Sequence, residues 1–221
     1  DRETETIREF VRDGGALIAT GDTGTRDTDN QLLSDFALAD VLGVRHLESV
    51  ESANAYLRVA SRNEELGIPA MDIPVDGSYV TIETAGAEPL LELVPPYEGV
   101  RTGTPPPAVA AEGPGVVMHA FGKGKALYCA ADLFGAYFRQ DTPVLRKLGL
   151  WMLDLVHPRA SRTITLEHAP ISVEVFYNRR QGEGLVHLIN HGADKREGGV
   201  SQTQGFVTVP GIQVRVQLAS R

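Results

Sequence analysis

The sequence predicts an α/β protein, an open sheet with flanking helices, followed by a small all-β segment. Near the start, Ile7, Phe10 and Val11 recur at helical spacing before two glycines at 14 and 15. The run from Ala16 to Thr20 is apolar throughout, as in a strand covered on both faces. From about residue 161 onward, apolar and polar residues alternate with a period of two, which is typical of strands.

The elements between these two regions follow in order along the chain. A polar loop spans residues 21–30, and a second helix is predicted over 32–42, ending at Gly43. Short strands are predicted at 55–60 and 79–84, and the proline-rich stretch 95–107 predicts an extended surface loop. Two strands at 115–121 and 125–130 flank a glycine-rich turn, and the periodicity of 142–156 predicts a helix with one apolar face.

The change of pattern near residue 160 predicts two domains, over residues 1–158 and 161–221. Strands in the second are predicted at 171–177, 185–190, 206–209 and 212–218. These are too few for a closed sandwich, and the chain opens with a helix already under way. We therefore expect the first domain to continue upstream and the second to continue downstream.

Composition excludes several classes of function. The 221 residues carry a formal net charge of −8 with scattered Lys and Arg, so a nucleic-acid-binding face is not expected. No apolar run reaches the roughly 20 residues that a membrane-spanning helix needs. The single cysteine excludes an intramolecular disulfide and a cysteine-based metal site, and it favours a reducing, cytoplasmic compartment.

Several short motifs resemble catalytic or metal-binding motifs, but each lacks a residue that the function requires. Asp22, Thr23 and Gly24 spell the aspartic-protease signature, but no second copy supplies the partner carboxylate. A calcium loop starting at Asp27 would need Gly and Glu at its sixth and twelfth places, where Leu32 and Leu38 stand. The simpler interpretation of this segment is a polar loop at the carboxyl end of a strand, with Asp29 or Asn30 capping the next helix.

The remaining motifs also favour structural roles. The sequence from Gly122 to Lys125 lacks the Ser or Thr and the following helix of a phosphate-binding loop, so it predicts a hairpin turn. His187 and His191 lie about 13 Å apart if they sit on one strand, too far to bind one ion together. Cys129 lies inside an apolar strand, which favours a buried structural thiol over a nucleophile.

Several stretches together resemble the trimerisation domain of family-42 beta-galactosidases, a flavodoxin-like, class I glutamine-amidotransferase-like fold. The stretches that carry the resemblance are 7–20, the loop with Thr23 and Asp27, 35–44, 54–58, 121–128 and 186–190. The resemblance implies a parallel sheet with flanking helices and then a small β-domain. It also implies a homo-oligomer, specifically a trimer, with the catalytic carboxylates on a separate upstream barrel of the same polypeptide.

The resemblance also locates the catalytic positions of related amidotransferases. Their nucleophilic cysteine follows the strand equivalent to 16–20, where this chain has Gly21 and Asp22. Their His and Glu follow the strand equivalent to 125–130, where this chain has Ala131, Asp132 and Leu133. Without the triad, glutamine hydrolysis is not expected. We expect no cofactor and no metal ion.

The sequence therefore predicts a non-catalytic accessory region of a glycoside hydrolase, and two alternatives remain open. One is a carbohydrate-binding module that uses the 21–30 loop and aromatic residues such as Tyr97, Tyr137 and Phe138. The other is a freestanding amidotransferase-like hydrolase with altered chemistry. The residues predicted to lie near a substrate are Asp22, Thr23, Asp27, Asn30 and Asp132.

Overall fold

The chain divides into two compact units, Asp1–His157 and Pro158–Arg221. The computed structural model describes residues 2–51, 54–96, 110–170, 172–180, 182–191 and 208–217. Each unit builds its sheets from its own strands. Among the described residues, no helix is both long enough and apolar enough to cross a bilayer.

The first unit contains five helices and eight strands among its described residues. The helices are α1 (Arg2–Arg12), α2 (Ala39–Leu42), α3 (Asn63–Leu66), α4 (Leu133–Gln140) and α5 (Pro143–Val156). The strands are β1 (Ala16–Thr20), β2 (Val44–Val50), β3 (Ala55–Arg58), β4 (Asp72–Val75), β5 (Tyr79–Thr84), β6 (Glu88–Val94), β7 (Gly113–Phe121) and β8 (Gly124–Cys129). This is the predicted α/β class.

Six of these strands form one mixed sheet in the order β1-β8-β7-β6-β3-β4. β1 and β8 are parallel, as expected, whereas the four other described pairs of this sheet are antiparallel. β2 and β5 form a separate antiparallel ribbon. The ribbon joins the sheet where the N–H of Val80 donates to the carbonyl of Ala130 at 2.8 Å.

The apolar face of α5 anchors the helices to the sheet. Leu145, Leu148 and Met152 are at most 1% exposed, which confirms the face predicted from their spacing. Pro143 occupies the first turn of α5, where its missing N–H has no intrahelical partner to lose. α5 contacts β1, β8 and α4, so the carboxyl ends of β1 and β8 lie on a well-packed scaffold.

The predicted helix over 32–42 is wrong except in its last turn, α2. The main-chain donors of the preceding residues are taken by the polar loop, because Leu33 N–H and Ala37 N–H donate to the carbonyls of the loop at 2.8 Å each. The carboxylate of Asp35 accepts the N–H groups of Phe36 and His46. These bonds replace the helical ladder, and Gly43, in the left-handed conformation with φ 66°, ends α2 as predicted.

In the part of the second unit that the structure describes, the strands form two short antiparallel ribbons. A 3₁₀ turn at Arg159–Ser161 precedes β9 (Ile164–Glu167), β10 (Val173–Arg180), β11 (Glu183–Asn190) and β12 (Gln213–Val216). β10 pairs with β11, and β12 pairs with β9. The strands predicted at 171–177, 185–190 and 212–218 correspond to β10, β11 and β12, with bounds that differ by a few residues. The strand predicted at 206–209 is not found in its described half, residues 208 and 209, and residues 206 and 207 lie outside the described residues.

Candidate functional site

The candidate site lies where β1 and β8 end side by side. Thr20 and Cys129 are paired in register, and the N–H of Gly21 donates to the carbonyl of Cys129 at 2.9 Å. Gly21 has a φ of 55°, and a Cβ there would lie 3.8 Å from Asp132. The turn after β1 therefore packs against Asp132, the residue directly before α4. Open α/β folds bind ligands at the carboxyl ends of their strands, which is where this turn lies.

A buried tyrosine fixes the turn after β1. The hydroxyl of Tyr128, on β8, donates to the carbonyl of Gly21 at 2.6 Å, and the Tyr128 side chain is completely buried. Burial raises the pKa of the Tyr128 phenol above its usual value, so the hydroxyl stays a proton donor throughout the physiological range. Phe36 packs edge-on against the Tyr128 ring at 5.1 Å.

Three of the predicted substrate-proximal residues are committed to hydrogen bonds or turns within their own loop. Thr23 Oγ1 donates to the carbonyl of Thr20 at 2.6 Å. Asp27 Oδ1 accepts the N–H groups of Asp29 and Gln31 at 2.9 and 2.8 Å. Asn30 adopts a left-handed conformation with φ 61°, which asparagine tolerates better than most residues. Thr23, Asp27 and Asn30 thus shape the loop.

The fourth predicted residue, Asp132, caps α4. Its Oδ1 accepts the N–H of Gly135 at 3.1 Å, and its Oδ2 lies 3.3 Å from the guanidinium of Arg139. Arg139 also contacts the carboxylate of Asp76 at 3.3 Å. The carboxylate of Asp132 therefore has a capping and ion-pairing role that the sequence did not reveal.

The fifth predicted residue, Asp22, lines an open cavity of about 470 Å³. The other lining residues come from the loop, the β2–β5 ribbon and their ends: Thr25, Arg26, Leu32, Ser49, Val50, Glu51, Ser78, Tyr79 and Val80. Burial raises the pKa of the Tyr79 phenol, and the negative charges of Glu112 and Glu48 add to the effect. The cavity combines hydroxyl, carboxylate and guanidinium groups, which suits a polar, uncharged ligand.

The sequence did not predict the side of this cavity that the β2–β5 ribbon forms. Ser49 and Ser78 lie at the ends of the β2–β5 ribbon, and β2 was not predicted as a strand. The available signal was the polar residue at 78 directly before the predicted strand at 79–84. Without the pairing of β2 with β5, nothing in the sequence brings residues 49 and 22 together.

Cys129 has none of the properties of a nucleophile. Its side chain is 0% exposed, and burial raises the pKa of its thiol to about 12. At neutral pH the group is a neutral thiol inside the core, where it packs as a small apolar side chain. Within the described part of the chain, no three His, Cys, Asp or Glu side chains are grouped to hold a metal ion.

Two histidines are engaged by neighbouring oxygen atoms. His191 Nε2 lies 3.0 Å from the carboxylate of Glu174 on the second unit, and His119 Nδ1 lies 2.9 Å from the carbonyl of Val41. A Cβ on Gly43 would collide with the His119 ring, so glycine is required at the end of α2 for packing as well as for its conformation.

Comparison with solved structures finds the fold in several glycoside hydrolases. The chain matches alpha-L-fucosidase isoenzyme 2 from Paenibacillus thiaminolyticus with a TM-score of 0.74 and 19% identity, over 97% of this chain and 32% of that one. It matches the beta-galactosidase from Rahnella sp. R3 with a TM-score of 0.60 and 21% identity, over 97% of this chain and 30% of that one. For the beta-galactosidase from Bacillus circulans sp. alkalophilus the TM-score is 0.58 and the identity 20%, over 85% of this chain and 25% of that one.

The chain thus spans between a quarter and a third of the length of these enzymes. No curated protein is similar enough to count as a relative. The fold is a mixed α/β domain with flanking helices of a kind also found in glycoside hydrolases. The model of one family, described as the beta-galactosidase trimerisation domain, matches residues 1–148. The chain belongs to that family.

Proposed function

We propose that this chain is a non-catalytic assembly region of a longer beta-galactosidase-like protein whose catalytic barrel lies upstream of these residues. The observation that carries the proposal is the chemistry at the ends of β1 and β8. Thr23 and Asp132 are engaged in local hydrogen bonds there, and the thiol of Cys129 is buried and neutral. No nucleophile with an adjacent base stands in this part of the described chain, so triad chemistry has no support.

The family description supports self-association as the activity of this region. α4 carries two phenylalanines four residues apart on one helical face, with Phe134 45% exposed and Phe138 85% exposed. Neighbouring exposed apolar side chains form the kind of patch that marks interaction sites, and aromatic residues, phenylalanine included, are enriched at protein interfaces. The face of α4 that carries Phe134 and Phe138 therefore contacts a second copy of the protein.

Light scattering on the purified chain tests this proposal. Replacing Phe138 with Ser should raise the dissociation constant of the oligomer by about tenfold or more, because an interface aromatic contributes on the order of 1–2 kcal/mol or more. Leu47→Ser is the matched control, since Leu47 is 59% exposed but lies on β2. Equal dissociation curves for Phe138→Ser and the unaltered chain would remove this face from the interface.

A second function, binding of a neutral carbohydrate, is supported by the cavity beside Asp22. Its lining combines carboxylate, guanidinium and hydroxyl groups with apolar side chains, and its volume of about 470 Å³ accommodates a monosaccharide, whose hydroxyls pair with carboxylate and guanidinium groups. Of the aromatic residues considered from the sequence, Tyr137 and Phe138 lie on α4 and do not line this cavity. Tyr97 lies outside the described residues.

Titration calorimetry with galactose and arabinose tests this second function. Asp22→Asn should abolish any heat of binding, because the variant replaces the one predicted residue that lines the cavity. Asp29→Asn is the matched control, since Asp29 belongs to the same loop but does not line the cavity. An absence of heat for the unaltered chain at millimolar sugar would exclude the cavity as a sugar site.

A further inference from the structure

Two side chains of β2 bring a hydroxyl and an imidazole into direct contact. Ser49 Oγ lies 2.8 Å from His46 Nε2. Both residues lie on β2, away from the ends of β1 and β8 at which a triad would be expected. A serine hydroxyl within hydrogen-bonding distance of an imidazole is the arrangement that activates serine as a nucleophile, because the imidazole takes the proton as the oxygen reacts.

A β-bulge in β2 explains why these two side chains meet. In a regular strand, residues three apart point to opposite faces, because the side-chain period is two. The pairing of β2 with β5 shifts between His46 and Glu48, which leaves Leu47 as the extra residue of a bulge. This residue turns Ser49 to the same side as His46. Bulges occur preferentially next to functional sites, where they redirect a side chain.

The imidazole of His46 is held in place by the segment before β2. Phe36, which is buried in the core, packs edge-on against the His46 ring, with 5.6 Å between the ring centroids. Asp35 Oδ1 accepts the main-chain N–H of His46 at 2.9 Å. The base is therefore positioned before any reaction partner arrives, which lowers the entropy cost of the proton transfer.

The hydroxyl of this pair belongs to the side of the cavity that the β2–β5 ribbon forms. Ser49 lines the cavity of about 470 Å³ beside Asp22, whereas His46 does not. Arg26 contributes a guanidinium to the same lining, and its Nη1 donates to the carbonyl of Asn30 at 3.1 Å. A guanidinium has five N–H donors, so Arg26 can also pair with negative charge that develops on a carbonyl oxygen in the cavity.

We infer that Ser49 is a site of covalent acylation, with His46 as its general base and a small acyl ester as the acyl donor. Ser49 Oγ attacks the carbonyl carbon of the ester while its proton passes to His46 Nε2. The bond between the carbonyl carbon and the alcohol oxygen then breaks, and the alcohol leaves with that proton. The imidazole is neutral again, and Ser49 carries the acyl group as an ester.

The cavity also defines the class of acyl donor. Its lining offers carboxylate, guanidinium and hydroxyl groups, which suit an ester whose alcohol part is rich in hydroxyls. The inference goes beyond the proposed function and does not depend on it. Acylation of Ser49 modifies each chain once, and assembly through the α4 face does not involve the cavity.

Incubation of the purified chain with para-nitrophenyl acetate, followed by peptide mass mapping of the acetylated residues, tests this inference. Ser49 should be acetylated on the order of 100-fold faster than Ser34, because a positioned general base contributes at least that much. Ser34 is the matched control, since it is exposed like Ser49 and no histidine contacts its hydroxyl among the described residues. His46→Gln should remove the difference, because the amide still hydrogen-bonds to Ser49 but cannot take its proton.

Two results would overturn the inference. Acetylation of Ser49 at the rate of Ser34 in the unaltered chain would show that the imidazole does not activate the hydroxyl, and this comparison needs no variant to fold. An acetylation rate of Ser49 that His46→Gln leaves unchanged would exclude His46 as the base. Ser49→Ala should leave the dissociation constant of the oligomer unchanged, so the Phe138→Ser measurement judges the proposed function separately.

Discussion

Tyr128 joins the core to the candidate site through one hydrogen bond. Its phenol donates to the carbonyl of Gly21 in a place that water does not reach. Tyr128→Phe should lower the free energy of unfolding by about 1–3 kcal/mol, since the Gly21 carbonyl loses its buried donor. Tyr137→Phe is the control, because no hydrogen bond of the Tyr137 hydroxyl occurs among the described residues. If urea unfolding showed the same decrease in the free energy of unfolding for both variants, the hydrogen bond from Tyr128 to Gly21 would not be stabilising.

The ion pair between Arg8 and Asp40 ties α1 to α2. The guanidinium binds both carboxylate oxygens, at 2.8 and 3.1 Å, and this hydrogen bonding lowers the pKa of Asp40 below its ordinary value of 3.8. The Asp40 side chain is 50% exposed, so solvent weakens the contribution of the pair to stability.

The pH dependence of this contribution has a defined sign. A carboxyl whose pKa is lower in the folded state contributes stability above its unfolded pKa and loses that contribution as the pH falls through the folded pKa. Asp40→Asn should therefore destabilise the protein near neutral pH, and the difference should shrink towards zero below pH 3.8. Asp13→Asn, at an exposed position just after α1, is the control. A destabilisation by Asp40→Asn that is the same at pH 7 and at pH 3 would contradict the pairing.

At the residue scale, the sequence predicted which polar residues lie at the strand ends, but it did not predict what each of them contacts. Asp22 follows a buried strand, and that position alone led to its placement at the ligand-binding edge. The capping of α4 by Asp132 was not predicted, because the short segment LFGAYFRQ contains a glycine and gives a weak helical pattern. The ion pair of Asp132 with Arg139 depends on the same unpredicted helix.

Among the turns, the hairpin between β7 and β8 has a packing role beyond reversing the chain. Gly122 has a φ of 60°, and a Cβ there would lie 2.5 Å from the carbonyl oxygen of Arg12 at the end of α1. Lys123 N–H donates to that same carbonyl at 2.9 Å. The hairpin thus closes the carboxyl end of α1, where helical carbonyls need donors from outside the helix.

Two glycines with similar backbone geometry separate conformational strain from collision. Gly122→Ala and Gly67→Ala should each lower the free energy of unfolding by roughly 1–2 kcal/mol from backbone strain, because both residues are left-handed, with φ of 60° and 61°. Gly122→Ala should lose more, since its Cβ collides with α1 whereas nothing lies within 4 Å of a Cβ at Gly67. Thermal unfolding compares them directly, and equal losses would refute the contact between the hairpin and α1.

At the element scale, predictions succeeded where burial dominates the sequence pattern. The strand β1 and the apolar face of α5 are confirmed because their side chains pack into one core, and that packing imposes their periodicity. The helix predicted over 32–42 failed outside its last turn because Phe36 is buried within a loop, and the N–H groups of Leu33 and Ala37 donate to loop carbonyls instead of forming a helical ladder. The spacing of apolar residues indicates which side chains are buried, but it does not determine the backbone conformation. A loop that packs against the core can therefore show the same spacing as a helix.

At the scale of the whole molecule, the first unit exposes two apolar features that a monomer of this chain leaves in water. One is the exposed side of α4 that carries Phe138, and the other is the adjoining apolar groove between β1, α4 and α5, which Ile18 and Phe134 line. The sequence predicted neither feature. Whether an apolar side chain is exposed depends on how the elements pack against each other. The residue type alone does not distinguish an exposed apolar side chain from a buried one.

Sedimentation equilibrium of the purified chain across a wide range of concentration tests the central claim most directly. If the chain is an assembly domain, its mass should rise with concentration from 23.9 kDa to a plateau at three times that value. A mass that stays at 23.9 kDa up to the highest soluble concentration would contradict the assignment of the chain as an assembly domain.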